Sequence, residues 1–463
     1  GEDEEGSDDE MDVGDLDEPD SEEEAAGAGE TEALVASTSA KFDQAGELPY
    51  TFPCPSSHAE FARLLRSSGI RDEDTITVVK RIRTLYHPGL AEGNKDKLQV
   101  FTNVLLDHVI FLCASPPSPS TFRTVNSLLP PLLTLTHAYP LTSAPHYVKK
   151  LSLMHKNLLR GLVRGPLDPA AKTWPGLPEL SLLRLVGMVW SASDLSHPVA
   201  APAQLLIGEY LSQSRVRSLA DVASGLFLCS LAAQYESLAK RIVPEAVNFL
   251  ANALALLLPV SSAVVSAKTF PGSFPTPDIG QEHTKGLKLR AAKGLAPSAS
   301  VNLVEALSAK GGKVPVDKAE QLKVDLVASA VALVETFRGM YADSEAFPEL
   351  FQPLEGVLKA VKLDKVPEQL RVRSRPACGR EPLRLTHPLP RPRTQTLLST
   401  TLDSLSKALR FALESRKPLF MQHHKPIPLA TFLPKFDEGF NPNRRFDPDS
   451  ERAEASKLRA LYK

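Results

Sequence analysis

Thirty-nine prolines punctuate these 463 residues, and most of them stand between apolar stretches of about 12–20 residues. Average usage is about 5%. Proline removes a backbone donor and clashes with the preceding turn, so it ends helices and is excluded from central strands. Leu, Ala and Val dominate the stretches between prolines, and aromatic content is only 6%. That balance favours helices packed on helices over a β-sandwich. The fold class expected is therefore all-α, an elongated HEAT-like helical-repeat solenoid. A helix-pair spacing of about 40 residues carries that expectation; no consensus letters repeat.

The helices can be placed. Ser57 with Glu60 reads as a capping box opening a helix through Phe61, Leu64 and Leu65. A second helix fits 74–86, stopped by His87-Pro88-Gly89, and Asn94 is placed as the cap of a third. The rhythm continues through 121–139, 146–163, 179–193, 202–212, 218–238 and 242–258. In 218–238, Leu219, Val222, Leu226 and Cys229 share a face; in 242–258, Ile242, Ala246, Leu250, Leu254 and Leu257 do. Domain organisation follows: an acidic disordered tail at 1–46, a helical-repeat lobe at 47–259 and an exposed flexible insertion or linker at 260–300. Then come a helical continuation at 301–365, a basic irregular segment at 366–393 and a helix at 394–415. An extended Pro-rich basic arm with a terminal helix closes the chain at 416–463. A start at Gly1 rather than Met reads as part of something longer.

Charge divides the same chain into two poles. Residues 1–32 hold 17 acidic side chains, and no Lys or Arg precedes Lys41. The remainder carries 38 acidic against 53 basic residues, a net of about +15. An acidic low-complexity run buries too little apolar surface to repay its ordering entropy. A basic body suits a polyanion, of which nucleic acid is the foremost, although scattered lysines on a globule give the same sum. Ser7 and Ser21, each followed by acidic triplets, match acid-directed phosphorylation.

The C-terminal region has the same ambiguity at closer range. Residues 371–463 hold 19 basic and 9 acidic residues. Candidate RNA or partner contacts are Arg371, Arg373, Arg375, Arg391, Arg393, Arg416, Lys417, Lys425, Lys435, Arg444 and Arg445. Phosphate contact with stacking on unpaired bases, or an acidic protein surface, would satisfy them equally. Proline-ruled strings cannot make a core alone, so residues 416–450 are expected to lie along another surface.

Catalytic motifs are missing. There is no phosphate-binding loop, nucleophile elbow or dinucleotide fingerprint. Cys54, Cys113, Cys229 and Cys378 form no C-x-x-C pair, which argues against disulfides and zinc. His423 and His424 are adjacent and so point apart, with no acidic or Cys partner at ligand spacing, which argues against a metal site. His137, His146 and His155 read as structural. No enzyme, metal, cofactor, membrane or small-molecule substrate is expected.

The strings at the two ends are distinctive. Leu48-Pro49-Tyr50-Thr51-Phe52 and His87-Pro88-Gly89-Leu90-Ala91-Glu92-Gly93-Asn94-Lys95 open the helical region. Arg416-Lys417-Pro418-Leu419, His423-His424-Lys425-Pro426-Ile427-Pro428, Pro434-Lys435-Phe436 and Phe440-Asn441-Pro442 close it. Together, behind an acidic run, they resemble the nucleolar protein 14 family. The resemblance implies a non-enzymatic scaffold of the small-subunit processome in the nucleolus, supporting rRNA precursor processing and small-subunit assembly. It implies pre-rRNA and its guide snoRNP as partners, with a helical-repeat nucleolar complex protein and an rRNA pseudouridine methyltransferase. It also implies further protein on both sides, including a strongly basic end beyond residue 463. Candidate anchors are Leu48, Tyr50, Phe52, His423, His424, Pro426, Phe432, Phe436 and Phe440. A helical-repeat nuclear transport adaptor is the alternative, which would need an acidic concave face.

Overall fold

A computed structural model describes residues 50–260, 284, 286–290, 295, 297–298, 301–308, 315–362, 366, 397–417 and 449–463. Residues 68, 72–73, 116–117, 166–167, 169–170 and 195 within the first range are excepted. The described chain is mostly helix, and among the described residues the only extended pairing is an isolated antiparallel bridge between Val260 and Val361. Two compact units divide at residue 415.

The first unit holds thirteen helices among the described residues. They are α1 (His58–Ser67), α2 (Thr75–Leu85), α3 (Asn94–Ala114), α4 (Pro119–Ala138), α5 (Pro140–Val163), α6 (Leu177–Val189) and α7 (Ala200–Gln213). Then follow α8 (Leu219–Tyr235), α9 (Pro244–Leu257), α10 (Leu303–Ser308), α11 (Val316–Met340), α12 (Phe347–Lys359) and α13 (Leu397–Ser415). The second unit contributes α14 (Ser450–Leu461), which buries no side chain.

Apolar periodicity and caps place these helices close to where the sequence put them, with physical exceptions. Ser57 caps α1 by accepting from the Glu60 amide at 3.2 Å, but the Glu60 carboxylate turns one residue further back, to the amide and hydroxyl of Ser56. Asn94 is not the cap of α3. Gly93 holds that position at φ +83°, a left-handed conformation that favours glycine, and the Asn94 amide instead donates to the His87 carbonyl at 3.2 Å. Proline also fails as a universal stop. Pro140 begins α5 and Pro145 lies inside it, where a break was expected; Pro130, Pro131 and Pro353 are interior as well. Pro145 falls in the second turn of α5, so the carbonyl that its ring crowds, that of Leu141, belongs to the first turn. Ile242 precedes α9 and is partly exposed rather than facing the core with Ala246 and Leu250.

Packing is local along the chain. Each helix from α1 to α9 lies against the one two places on, α1 on α3 through to α9 on α11. Longer steps join α3 to α6, α8 to α11 and α9 to α12. The centre falls at α8 and α9, whose side chains are buried on nearly every side. Ser218 and Asp221 form a reciprocal cap at the start of α8, with bonds of 3.2 and 2.9 Å. Gly225 of α8 faces the Phe249 ring of α9, and a Cβ there would lie 2.0 Å from the ring edge. Among the described residues one helix, α3, is long and apolar enough to cross a membrane by length and composition; most of that stretch is buried against its neighbours.

The expected exposed insertion is, at its described residues, docked. Leu287 and Leu289 are buried, and the Leu289 amide donates to the Leu257 carbonyl at 2.8 Å. A buried Glu320–Lys323 pair on α11, 2.8 Å apart, holds this strip by its backbone. Glu320 accepts from the Arg290 amide and Lys323 donates to the Lys288 carbonyl.

Candidate interaction site

The sequence pointed to the two ends of the helical region, and the structure describes part of each. At the first end, Phe52 is a plug into this chain's own core, 4% exposed. Tyr50 stays in solvent with the Arg81 guanidinium 4.8 Å above its ring. Between them and α3, the Cys54 amide donates to the Tyr86 hydroxyl at 3.1 Å, and Lys97 sits 5.4 Å from the Tyr86 ring. Burial pushes the Cys54 thiol up to about 11 against the pull of Lys97, so it is no ready nucleophile. The distinctive loop from His87 to Lys95 is self-supporting. The Gly89 amide donates to His87 Nδ1, the Asn94 side chain ties back to His87, and Leu90 projects 67% exposed. Leu48 lies outside the described residues.

At the other end, α13 buries Leu398, Thr401, Leu405 and Leu409 against α11 and α12. Its last turns leave Phe411 and Leu413 in solvent, 73% and 55% exposed. Arg416 and Lys417, in the second unit, are exposed. The remaining expected contacts and anchors lie outside the described residues: Arg371, Arg373, Arg375, Arg391, Arg393, His423, His424, Lys425, Pro426, Phe432, Lys435, Phe436, Phe440, Arg444 and Arg445.

The buried titratable groups among the described residues are occupied by packing and by bonds within the fold. Among the described residues no three His, Cys, Asp or Glu side chains come together as metal ligands. Cys113 and Cys229 are raised by burial. His108 packs edge-on to Phe61 at 4.9 Å, and burial, with His58 nearby, drives it down to about 3, so it stays neutral. His146 lies 2.8 Å from Asp107 and His155 lies 3.3 Å from Glu209, whereas His137 is exposed. A cavity of about 400 Å³ between Cys113, Trp174 and Leu307 has Asp221 and Ser224 on its wall, yet Asp221 caps α8 and Ser224 donates to the Pro175 carbonyl. A second, of about 300 Å³ beside Leu226 and Leu333, is apolar apart from Ser230 and Ser329.

Several polar residues that tie distant helices together left no trace in the sequence. The Tyr341 hydroxyl receives the Val243 amide and donates to the Arg241 carbonyl, which fixes the entry to α9. Tyr235 donates to the Leu183 carbonyl across α6 and α8, and Trp174 to the Arg215 carbonyl at 2.8 Å. Isolated aromatics carry no motif, and only the fold brings their partners to them.

Comparison with known proteins places the chain in a family. The model of the Nop14-like family matches residues 1–463. The chain is 31% identical over 422 residues to the probable nucleolar complex protein 14 of Schizosaccharomyces pombe, covering 90% of this chain and 45% of that protein. It is 27% identical over 427 residues to nucleolar protein 14 of Homo sapiens (89% and 43%), and 26% identical over 427 residues to nucleolar complex protein 14 of Saccharomyces cerevisiae (89% and 45%). The chain thus spans less than half the length of these relatives.

Proposed function

This chain belongs to the Nop14-like family, and from that premise we propose that it is a non-enzymatic scaffold of the nucleolar small-subunit processome. A part in nucleolar ribosome biogenesis follows from the family, and the nucleolus is the compartment its relatives carry in their names. The finer reading is support of small-subunit rRNA precursor processing and small-subunit assembly by binding. Its partners are pre-rRNA with its guide snoRNP, a helical-repeat nucleolar complex protein and an rRNA pseudouridine methyltransferase.

The observation that carries the reading is the family match along the entire chain. Two physical features support it. Polar groups in the core are spent on holding the chain together: Tyr235 joins α8 to α6, Tyr341 fixes the entry to α9, and Glu320 with Lys323 holds the strip at 288–290, which suits a framework. Exposed apolar side chains at Leu90, Phe411 and Leu413 sit on ordered elements, where binding residues of a scaffold belong. The two-step packing of α1 to α11 is the local relation a HEAT-like repeat requires, and it is proposed to continue as one.

The test is affinity purification of the tagged full-length protein after cross-linking in nuclear extract. Small-subunit precursor RNA and small-subunit assembly factors are the expected catch. Recovery of transport receptors and a small GTPase without pre-rRNA would overturn the reading.

A further inference from the structure

Between Asp107 and Asp168 the chain runs for 60 residues without one carboxylate side chain, while it carries six Lys and Arg. Four of those six fall on α5 or its C-cap in a single line: Lys149, Lys156, Arg160 and Arg164. At 100° per residue the steps of seven, four and four keep them within about 80° of arc, and Lys156 to Arg164 covers about 12 Å of helix. All four are exposed. The opposite face, with Tyr147, Leu151, Met154 and Leu158, is core, so the ridge is held rigidly outward.

Carboxylates do approach α5 from neighbouring helices, and they are spent on its flanks. Asp107 of α3 takes His146 at 2.8 Å and Lys150 at 3.3 Å; Glu209 of α7 takes His155 at 3.3 Å. Lys156, Arg160 and Arg164 make no ion pair among the described residues. Solvated helix faces ordinarily set acids three or four residues from bases, because each pair stabilises the helix. Complementing the negative end of the helix dipole accounts for Arg160 and Arg164, but not for Lys156 six or more residues earlier than the end, nor for the missing acids.

We infer that this α5 ridge is a binding surface for the phosphodiester backbone of RNA. The inference rests on the function proposed above and gives it a place. Cations one helical turn apart, about 6 Å between Cβ atoms, form a row that follows a strand of phosphates. Lys and Arg to phosphate position an RNA without reading its bases, so binding here is sequence-independent and strongly salt-dependent. The acidic N-terminal run has matching charge as well, but a short row held on a packed helix suits regularly spaced phosphates.

The experiment compares the full chain with Lys156→Gln, Arg160→Gln, Arg164→Gln and with a charge-matched control, Lys80→Gln, Lys95→Gln, Lys362→Gln. The control residues are also exposed. Affinity for a mixed-sequence single-stranded RNA is measured across salt, with melting curves as the check on folding. Three lost phosphate contacts are expected to flatten the log-affinity against log-salt slope by about 2, and the control to flatten it by less than half as much. Equal slopes for both variants overturn the inference. So does unchanged RNA binding together with lost binding of a peptide of residues 1–32, which would assign the ridge to an acidic segment. If the α5 variant keeps the wild-type slope while wild-type protein sediments with pre-ribosomal particles, only the inference falls. If wild-type protein is absent from those particles, the functional reading falls with it.

Discussion

The contact between Gly225 and Phe249 makes the packing of α8 on α9 measurable. An alanine Cβ at 225 would lie 2.0, 2.6 and 2.7 Å from the Cζ, Cε1 and Cε2 atoms of Phe249. The ring cannot swing aside, because it is 3% exposed and Trp174 stands 5.5 Å away in an edge-on arrangement. Overpacking of this kind costs about 1–3 kcal/mol. Replacing a mid-helix glycine by alanine returns about 1 kcal/mol of helix propensity. The net expectation for Gly225→Ala is a loss of up to about 2 kcal/mol. Gly339→Ala supplies the control: it is also helical, near the end of α11, and a Cβ there meets nothing within 4 Å. Its expected effect is a gain of up to about 1 kcal/mol. Adding Phe249→Leu to Gly225→Ala removes the clashing ring edge and should recover part of the loss, so the two changes are non-additive. Urea unfolding followed by circular dichroism reads all four proteins. If Gly225→Ala matches Gly339→Ala in sign and size, α8 and α9 do not meet as described.

Three further outcomes are expected. His108 is held neutral at about 3 by burial, whereas unfolded chain takes up a proton near 6.5; stability should therefore fall as pH drops from 6.5 towards 3, and His108→Phe should flatten that fall in denaturant midpoints. Lys323→Met should cost about 3–5 kcal/mol by leaving Glu320 buried without its cation, and adding Glu320→Gln should restore much of it, as read by melting temperature. Replacing Phe432, Phe436 and Phe440 by alanine should release the protein from pre-ribosomal particles in gradient sedimentation, at about 1–3 kcal/mol per anchor; unchanged sedimentation and unchanged melting would make that arm a linker.

Helices were legible because each buries one apolar face, and a 3.6-residue period survives in sequence without an alignment. Boundaries were less so. Pro145 reads as a break, yet α5 begins at Pro140 and runs through it. Gly93 and Asn94 differ by one position as cap, which backbone dihedrals decide. Leu287 and Leu289 sit in a Ser-, Pro- and Gly-rich stretch, and their burial depends on Glu320 and Lys323 some 30 residues away. Of the expected anchors, Phe52 proves internal while Tyr50 is exposed; a sequence of alternating prolines and aromatics does not say which side of a surface each ring takes. The functional reading came from long, oddly composed strings at the two ends, not from any catalytic spacing.

The scaffold account is tested most directly by depleting the native protein in cells and quantifying the RNA of both subunits, with full-length wild-type protein restored in parallel. Accumulation of small-subunit rRNA precursor and loss of mature small-subunit rRNA, with large-subunit rRNA maintained and recovery on restoration, is the predicted result. Normal small-subunit rRNA after depletion would contradict it.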